Sequence, residues 1–170
     1  MKTRALTFLA ACCVAAIAVG PAALAGNAGQ PGRGGGKAPG YNASVPKPTL
    51  AGVRYGTHER HVLDFWRAPA DKPTPLVFVI HGGGWKSGSK ERIDRFADTA
   101  ALLKAGISVA AINYRLMKHA GGVAPPVKAP LYDAARALQL VRSKAADWNI
   151  DKERIGAAGG SAGACSSLWL

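Results

Sequence analysis

A serine flanked by glycines lies near the end of the chain, in the sequence GGSAG at residues 159–163. The pattern G-x-S-x-G is typical of a strand that turns sharply into a helix, because bulk two residues either side of the serine would collide there. Such a turn exposes the hydroxyl of Ser161 above the sheet and aims the backbone N–H of Ala162 at a developing oxyanion. The motif therefore predicts that Ser161 is a catalytic nucleophile.

A second glycine-rich motif, HGGGW at residues 81–85, directly follows the apolar run PLVFVI at residues 75–80. Three glycines let the backbone fold tightly and bring N–H groups close to a substrate oxygen. A Walker-type phosphate loop would need Gly-Lys-Ser/Thr after its first glycine, and that sequence is absent here. The motif therefore favours a loop that binds an oxyanion over one that binds a phosphate.

The elements that position these motifs alternate between strands and helices. Apolar runs predict strands at residues 52–55, 61–66, 75–80, 107–114 and 154–158, and apolar residues at helical spacing predict helices at 92–104 and 131–148. A Gly/Pro-rich loop covers residues 118–130. This alternation indicates an α/β fold whose parallel sheet has crossover helices, with the first two strands as an antiparallel edge.

The two motifs together resemble the α/β-hydrolase superfamily, and within it the HGGGW-type esterase and lipase branch that includes acetyl-xylan and feruloyl esterase-like proteins. The sequence NYRL at residues 113–116 and Asp133 in the following helix also resemble that branch. The resemblance covers residues 49–170, about the first half of such a domain. It implies the α/β-hydrolase fold, a mostly parallel sheet with flanking helices, truncated after the serine turn.

The resemblance also implies a role for each motif residue. Ser161 would attack a carboxylic ester, and the N–H groups of Gly83, Gly84 and Ala162 would form the oxyanion hole. His81 would hold the loop in shape rather than transfer protons. Substrates would be small-molecule or polysaccharide esters, and neither a cofactor nor a metal is implied.

The residues that would activate the serine are missing from the sequence that follows it. In this fold the order along the chain is Ser, then Asp or Glu, then His, and the nine residues after Ser161 include none of the three. His58 and His61 belong to a predicted hairpin and His119 to a loop, so we interpret all three as surface or structural residues. We therefore expect the 170-residue chain to be an incomplete, inactive fragment, because serine without a base is a weak nucleophile.

Two other functions stay open at this point. An amidase or peptidase of the same fold, similar to arylformamidase or prolyl oligopeptidase, would carry the same two motifs. A non-catalytic exported protein would have the fold without the reaction.

Other reactive or charged side chains near the motifs have simpler interpretations. Cys165 has no nearby His or basic partner, so we expect a small buried residue rather than a nucleophile. The basic residues Arg115, Lys118 and Lys128 could line a pocket for acidic substrates, but we interpret them as solvated loop charges.

The beginning of the chain predicts export. Lys2 and Arg4 precede an uncharged apolar stretch at residues 5–19, and Ala-Leu-Ala at 23–25 is a cleavage site of the small-x-small type. We therefore predict a signal peptide at residues 1–25 and a periplasmic or extracellular protein. The stretch is short for a membrane span, which needs about 20 residues.

Further predictions concern the cysteines, the linker and the charge of the chain. Lipoprotein anchoring at Cys12 is the alternative to ordinary cleavage. Residues 26–48 are rich in Gly and Pro and predict a flexible linker before a domain at 49–170. After cleavage Cys165 would be the remaining cysteine, which excludes an intramolecular disulfide and a cysteine zinc cluster. The net charge of +12 is spread along the chain, so we expect no nucleic-acid partner.

Overall fold

The computed structural model of the chain describes residues 40–170. The predicted signal peptide, the alternative lipid site at Cys12 and the first part of the predicted linker lie outside these residues. Within residues 40–170, no helix has both the length and the apolar character needed to cross a membrane.

One mixed sheet of five strands organises the described residues. The strands are β1 (Leu50–Arg54), β2 (Val62–Trp66), β3 (Thr74–Ile80), β4 (Ser108–Ile112) and β5 (Ile150–Gly159), in the order β1-β2-β4-β3-β5 across the sheet. β2 is antiparallel to β1 and β4, whereas β3 is parallel to β4 and β5. The predicted antiparallel edge is confirmed, and the parallel part brings the carboxyl ends of β3 and β5 to one edge of the sheet.

The helices differ from the predicted ones at their boundaries. They are α1 (Thr99–Lys104), α2 (Lys128–Ser143), α3 (Ala145–Trp148) and α4 (Ala162–Trp169), with 3₁₀ helices at Lys90–Arg95 and Met117–His119. The single helix predicted over 92–104 is wrong. Asp98 starts a new helix by accepting a hydrogen bond from the Ala101 N–H at 3.0 Å, as a helix N-cap does. The helix predicted over 131–148 begins earlier and is divided at Lys144.

The strands bury side chains on both faces of the sheet. Leu76, Phe78 and Ile80 of β3 belong to a core on the side of α2 and α3, where Phe65 and Trp148 stack with ring centroids 4.6 Å apart. The alternate residues of β3 belong to a second core on the side of the Lys90–Arg95 helix. Burial on both faces is what parallel strands require, and it explains the continuous apolar run in the sequence of β3.

Residues 41–46, at the end of the predicted linker, pack on the sheet. The ring of Tyr41 lies edge-on against Trp66, with centroids 5.3 Å apart, and its hydroxyl donates to Asp64 at 2.5 Å. The indole N–H of Trp66 donates to the carbonyl of Pro46 at 2.7 Å. An aromatic side chain in a Gly/Pro-rich segment thus finds an apolar partner, and the packed part of the chain includes Tyr41 rather than beginning near Thr49.

Candidate active site

Ser161 occupies a strained turn between β5 and α4. Its backbone has φ 53° and ψ −121°, a region that residues other than glycine rarely adopt and that is typical of functional turns. The turn is closed by a hydrogen bond from the Gly163 N–H to the Gly160 carbonyl at 2.9 Å. The Ser161 side chain is exposed, as the sequence motif predicts.

The glycines two residues either side of Ser161 are required by the neighbouring strand. A Cβ on Gly159 or on Gly163 would collide with the carbonyl oxygen of Ile80, the last residue of β3. The steric reason for the motif is therefore a close contact between the serine turn and the end of β3. That contact places the turn beside the loop that follows β3.

The glycine loop, residues 81–85, folds back on itself after β3. The N–H groups of Lys86 and Ser87 both donate to the Gly83 carbonyl, at 3.0 and 3.1 Å. Gly83 has a positive φ of 118°, and a Cβ there would collide with the Ser87 carbonyl. At the end of the loop, the indole N–H of Trp85 donates to Ser166 of α4 at 3.0 Å. The loop is thereby joined to the helix that Ser161 precedes.

A cleft of about 340 Å³ brings the two motifs together. Its lining residues come from the glycine loop, the Lys90–Arg95 helix and the serine turn: Gly82, Gly83, Arg92, Arg95, Phe96, Gly160 and Ser161. Gly84 and Ala162 are not among them. A larger hollow of about 630 Å³ lies beside the start of β5 and contains none of the predicted site residues.

The three predicted oxyanion donors have no hydrogen-bond acceptor among the described residues. Within residues 40–170, the backbone N–H groups of Gly83, Gly84 and Ala162 donate no hydrogen bond. Ala162 is the first residue of α4, and the N–H groups of a first helical turn have no partner within the helix. The partial positive charge at that helix end favours a negatively charged group.

His81 is enclosed beneath the loop. Its side chain stacks on Tyr114, with ring centroids 4.2 Å apart, and Nδ1 lies 2.8 Å from the Gly82 carbonyl. Because that carbonyl can only accept, Nδ1 carries the proton and Nε2 accepts from the Arg60 guanidinium at 3.4 Å. Burial lowers the pKa of His81 to about 4. The imidazole of His81 is thus neutral and enclosed, with both nitrogens engaged.

Arg60 is a residue of this site that the sequence did not reveal. Its guanidinium donates to the Tyr114 carbonyl at 2.7 Å and to the Gly88 carbonyl at 2.8 Å, in addition to its contact with His81. It thus ties the β1–β2 hairpin to His81, at the start of the glycine loop, and to Gly88, just beyond its end. An arginine in a predicted hairpin turn has no sequence signal that separates it from a solvated surface charge.

The remaining histidines lie in a separate cluster. His58 and His119 have ring centroids 5.1 Å apart, and His61 Nε2 lies 3.0 Å from the Asp133 carboxylate, within ion-pair distance but outside hydrogen-bonding angles. None of these four residues lines the cleft that contains Ser161. Within residues 40–170, the cleft therefore has no histidine or carboxylate side chain.

Asp133 holds Arg115, which corrects the interpretation of that arginine as a solvated loop charge. The guanidinium donates to both carboxylate oxygens, at 2.8 and 2.9 Å, and the Arg115 N–H donates a further bond at 2.9 Å. Burial opposes ionisation of Asp133, but these bonds and the nearby His61 keep its pKa below the usual value. The pair joins the end of β4 to α2 and takes no part in the cleft.

The prediction that Cys165 is buried is wrong. Its side chain is exposed, because α4 turns Ala162, Gly163 and Ser166 toward the sheet and leaves Cys165 on the opposite side.

Residues 63–169 match the family model BD-FAE. The chain belongs to the BD-FAE family. Among curated relatives, gut esterase 1 of Caenorhabditis briggsae is 34% identical over 106 residues, which are 59% of this chain and 18% of that protein. Esterase LipQ of Mycobacterium tuberculosis is 32% identical over 116 residues, 66% of this chain and 26% of that protein. The chain thus spans about a quarter or less of the length of these relatives.

Solved structures similar to this BD-FAE chain are α/β-hydrolase esterases. A truncated carbohydrate esterase from gut microbiota has a TM-score of 0.62 and 30% identity, over 76% of this chain and 45% of that one. Propionate-bound esterase 2 of Thermogutta terrifontis has a TM-score of 0.57 and 27% identity, over 68% and 42% of the two chains; the same enzyme has been solved in a phosphonylated form. The predicted α/β-hydrolase fold is confirmed.

Proposed function

We propose that this chain carries the nucleophile and oxyanion hole of a carboxylic ester hydrolase. One observation supports it above the others: the exposed, strained Ser161 and the glycine loop line the same cleft. Serine at such a turn, next to free backbone N–H groups, is suited to acyl transfer. The relatives are named esterases, which favours ester hydrolysis over amide hydrolysis and over a non-catalytic role.

In the proposed reaction, the Ser161 oxygen attacks the ester carbonyl carbon and loses its proton to a base. The carbonyl oxygen becomes an oxyanion that accepts hydrogen bonds from the N–H groups of Gly83, Gly84 and Ala162. Collapse of this intermediate expels the alcohol, which takes up a proton, and water then releases the acyl group from Ser161. His81 acts by holding the glycine loop.

The described residues supply only part of this machinery. No histidine or carboxylate side chain of residues 40–170 lines the cleft, so this part of the chain contributes the nucleophile and the N–H donors without the general base. The N–H donors would still stabilise negative charge that develops on a group attacked by Ser161, so Ser161 should be distinguishable from ordinary serines.

The proposal includes two further properties. The carbohydrate esterase among the structural neighbours supports small-molecule or polysaccharide esters as substrates. The N-terminal sequence supports export to the periplasm or the cell exterior.

Site-selective labelling tests the nucleophile. The full chain is incubated for hours with an excess of an alkyl fluorophosphonate, whose phosphorus Ser161 attacks with loss of fluoride, and adducts are located by peptide mass spectrometry. We expect Ser161 to be labelled at least about tenfold faster than other serines, because the N–H groups stabilise the phosphoryl oxygen.

Two variants control this experiment. Ser161→Ala should remove the adduct, and Ser143→Ala, which removes an exposed serine of α2, should leave it unchanged. Equal labelling of several serines, or an adduct that persists in Ser161→Ala, would show that Ser161 is not the nucleophile.

A further inference from the structure

We propose that Arg92 and Arg95, called here the arginine pair, make the cleft selective for esters that carry a carboxylate near the scissile bond. The proposal deepens the function proposed for Ser161 and rests on it. Both arginines line the cleft together with the ring of Phe96 and the serine turn.

The charge of the cleft is unbalanced. Apart from the arginine pair, its lining consists of three glycines, Ser161 and Phe96, none of which carries a charge. Neither arginine forms an ion pair within residues 40–170, where every ion pair involves other cations. The arginine pair therefore lines the space beside the nucleophile and has no ion-pair partner among the described residues.

The acidic residues nearest in sequence are engaged elsewhere. Glu91 pairs with Lys90 at 2.7 Å, Asp94 accepts from Asn42 at 3.2 Å, and Asp98 caps α1. Asp94 and Asp98 instead line a separate depression next to Ser44 and Val45. Residues 1–39 contain no Asp or Glu. Asp94 and Asp98 thus line a depression separate from the cleft that the arginine pair lines.

The backbone that carries the arginine pair is anchored. Ile93, between the two arginines, is buried in the core at 1% exposure, and the Lys90 N–H donates to the Asn113 side chain at 2.7 Å. The ring of Phe96 lies so close to Gly160 that a Cβ on that glycine would be 2.5 Å from the ring. The backbone that carries the arginine pair is therefore held next to the serine turn, and both arginine side chains are exposed.

An anchored arginine pair beside an apolar ring fits one kind of ligand. Guanidinium groups bind a carboxylate through paired, charge-assisted hydrogen bonds, and the Phe96 ring offers a surface for a flat apolar group. The substrate class that matches both is an ester of an aromatic or similarly flat acid-bearing molecule. A neutral ester of the same shape would use the ring and leave the arginines solvated.

Binding of benzoate and of its uncharged analogue benzamide tests the proposal without requiring any reaction. Each is titrated into the full chain, and the backbone amide NMR signals of Gly82, Gly83 and Gly160 are followed. We expect benzoate to bind about tenfold more tightly than benzamide, because two exposed ion pairs each contribute up to about fivefold. Arg92→Ala and Arg95→Ala should each remove most of that preference.

A control variant separates a site from general attraction to a basic protein. Arg142→Ala removes the same charge from an exposed position at the end of α2, outside the cleft, and should leave the preference intact. The proposal is overturned if Arg142→Ala has the same effect as Arg92→Ala, if benzoate and benzamide bind alike, or if neither ligand moves the three glycine signals.

A second arm links binding to the nucleophile. Labelling of Ser161 is compared for an aryl fluorophosphonate with a para-carboxylate and for its para-carboxamide analogue. Arg92→Ala should slow the carboxylate probe more than the carboxamide probe. If neither probe labels Ser161, the ester hydrolase function fails, while the benzoate titration still decides whether the arginine pair binds a carboxylate. If both probes label Ser161 at equal rates in every variant, the arginine pair has no role in selectivity.

Discussion

Replacing Arg60 by alanine should loosen the glycine loop that faces Ser161. The guanidinium donates to the carbonyls of Tyr114 and Gly88, at 2.7 and 2.8 Å, and contacts His81 Nε2 at 3.4 Å. Each buried acceptor that loses its donor costs about 1–3 kcal/mol. Because Arg60 is only half-buried, water can reach part of the space, and we expect a loss of about 2 kcal/mol in the free energy of unfolding.

Urea unfolding of the full chain, followed by tryptophan fluorescence, measures this loss. The midpoint should fall while the slope stays constant, because the surface exposed on unfolding is unchanged. Arg67→Ala is the matched control, since Arg67 is exposed on the neighbouring strand end and its guanidinium makes no hydrogen bond within residues 40–170. It should leave the midpoint unchanged.

A second readout separates positioning of the loop from a merely stabilising role. Burial sets most of the low pKa of His81, and the positive charge of Arg60 lowers it further. In Arg60→Ala the pKa of His81, measured by NMR, should rise from about 4 toward its usual value. Arg60→Lys keeps the charge without the planar fork, so the pKa should stay low while stability falls. An Arg60→Ala variant with unchanged stability and unchanged His81 titration would refute the role assigned to this arginine.

Three further outcomes follow from the same structure. The free energy of unfolding should fall by up to about 3 kcal/mol as the pH is lowered from 6.5 to 4. The reason is that His81 takes up a proton near pH 6.5 in the unfolded chain and only near pH 4 in the folded one. A urea midpoint that stays constant over that range would contradict the enclosed neutral imidazole. Gly163→Ala should unfold the serine turn or cost more than about 3 kcal/mol, since its Cβ would meet the Ile80 carbonyl, whereas Gly156→Ala, with open space around it and no positive φ, should cost less. Turnover of p-nitrophenyl acetate by the 170-residue chain should stay at background, and turnover that Ser161→Ala abolishes would show that a base is present after all.

The sequence was sufficient for features that depend on local sterics. The glycines at 159 and 163 were expected to avoid a collision, and the structure identifies the Ile80 carbonyl as the group they would meet. The continuous apolar run of β3 predicted a strand covered on both faces, which the two cores confirm. These predictions succeeded because each depends on the residues of one short segment. The spacing of glycines around a serine and an unbroken apolar run are each typical of few local structures.

Features that depend on contacts between distant segments could not be predicted. Arg60 and Arg92 look alike in the sequence, yet one lies beneath the glycine loop and the other lines the cleft. Arg115 was expected to be solvated and instead binds Asp133. Cys165 was expected to be buried because it has no basic neighbour, but the packing of α4 turns Ala162, Gly163 and Ser166 toward the sheet and leaves Cys165 exposed.

Arg60 and the arginine pair both place positive charge near the glycine loop. Arg60 lies beneath the loop, the arginine pair borders the cleft above it, and within residues 40–170 no carboxylate side chain lines that cleft. A field that attracts a substrate carboxylate also stabilises an oxyanion formed at Ser161, since both are negative charges in the same space. Removing Arg92 should therefore slow even an uncharged probe slightly, and the difference between the charged and uncharged probes, rather than either rate alone, measures recognition of the substrate.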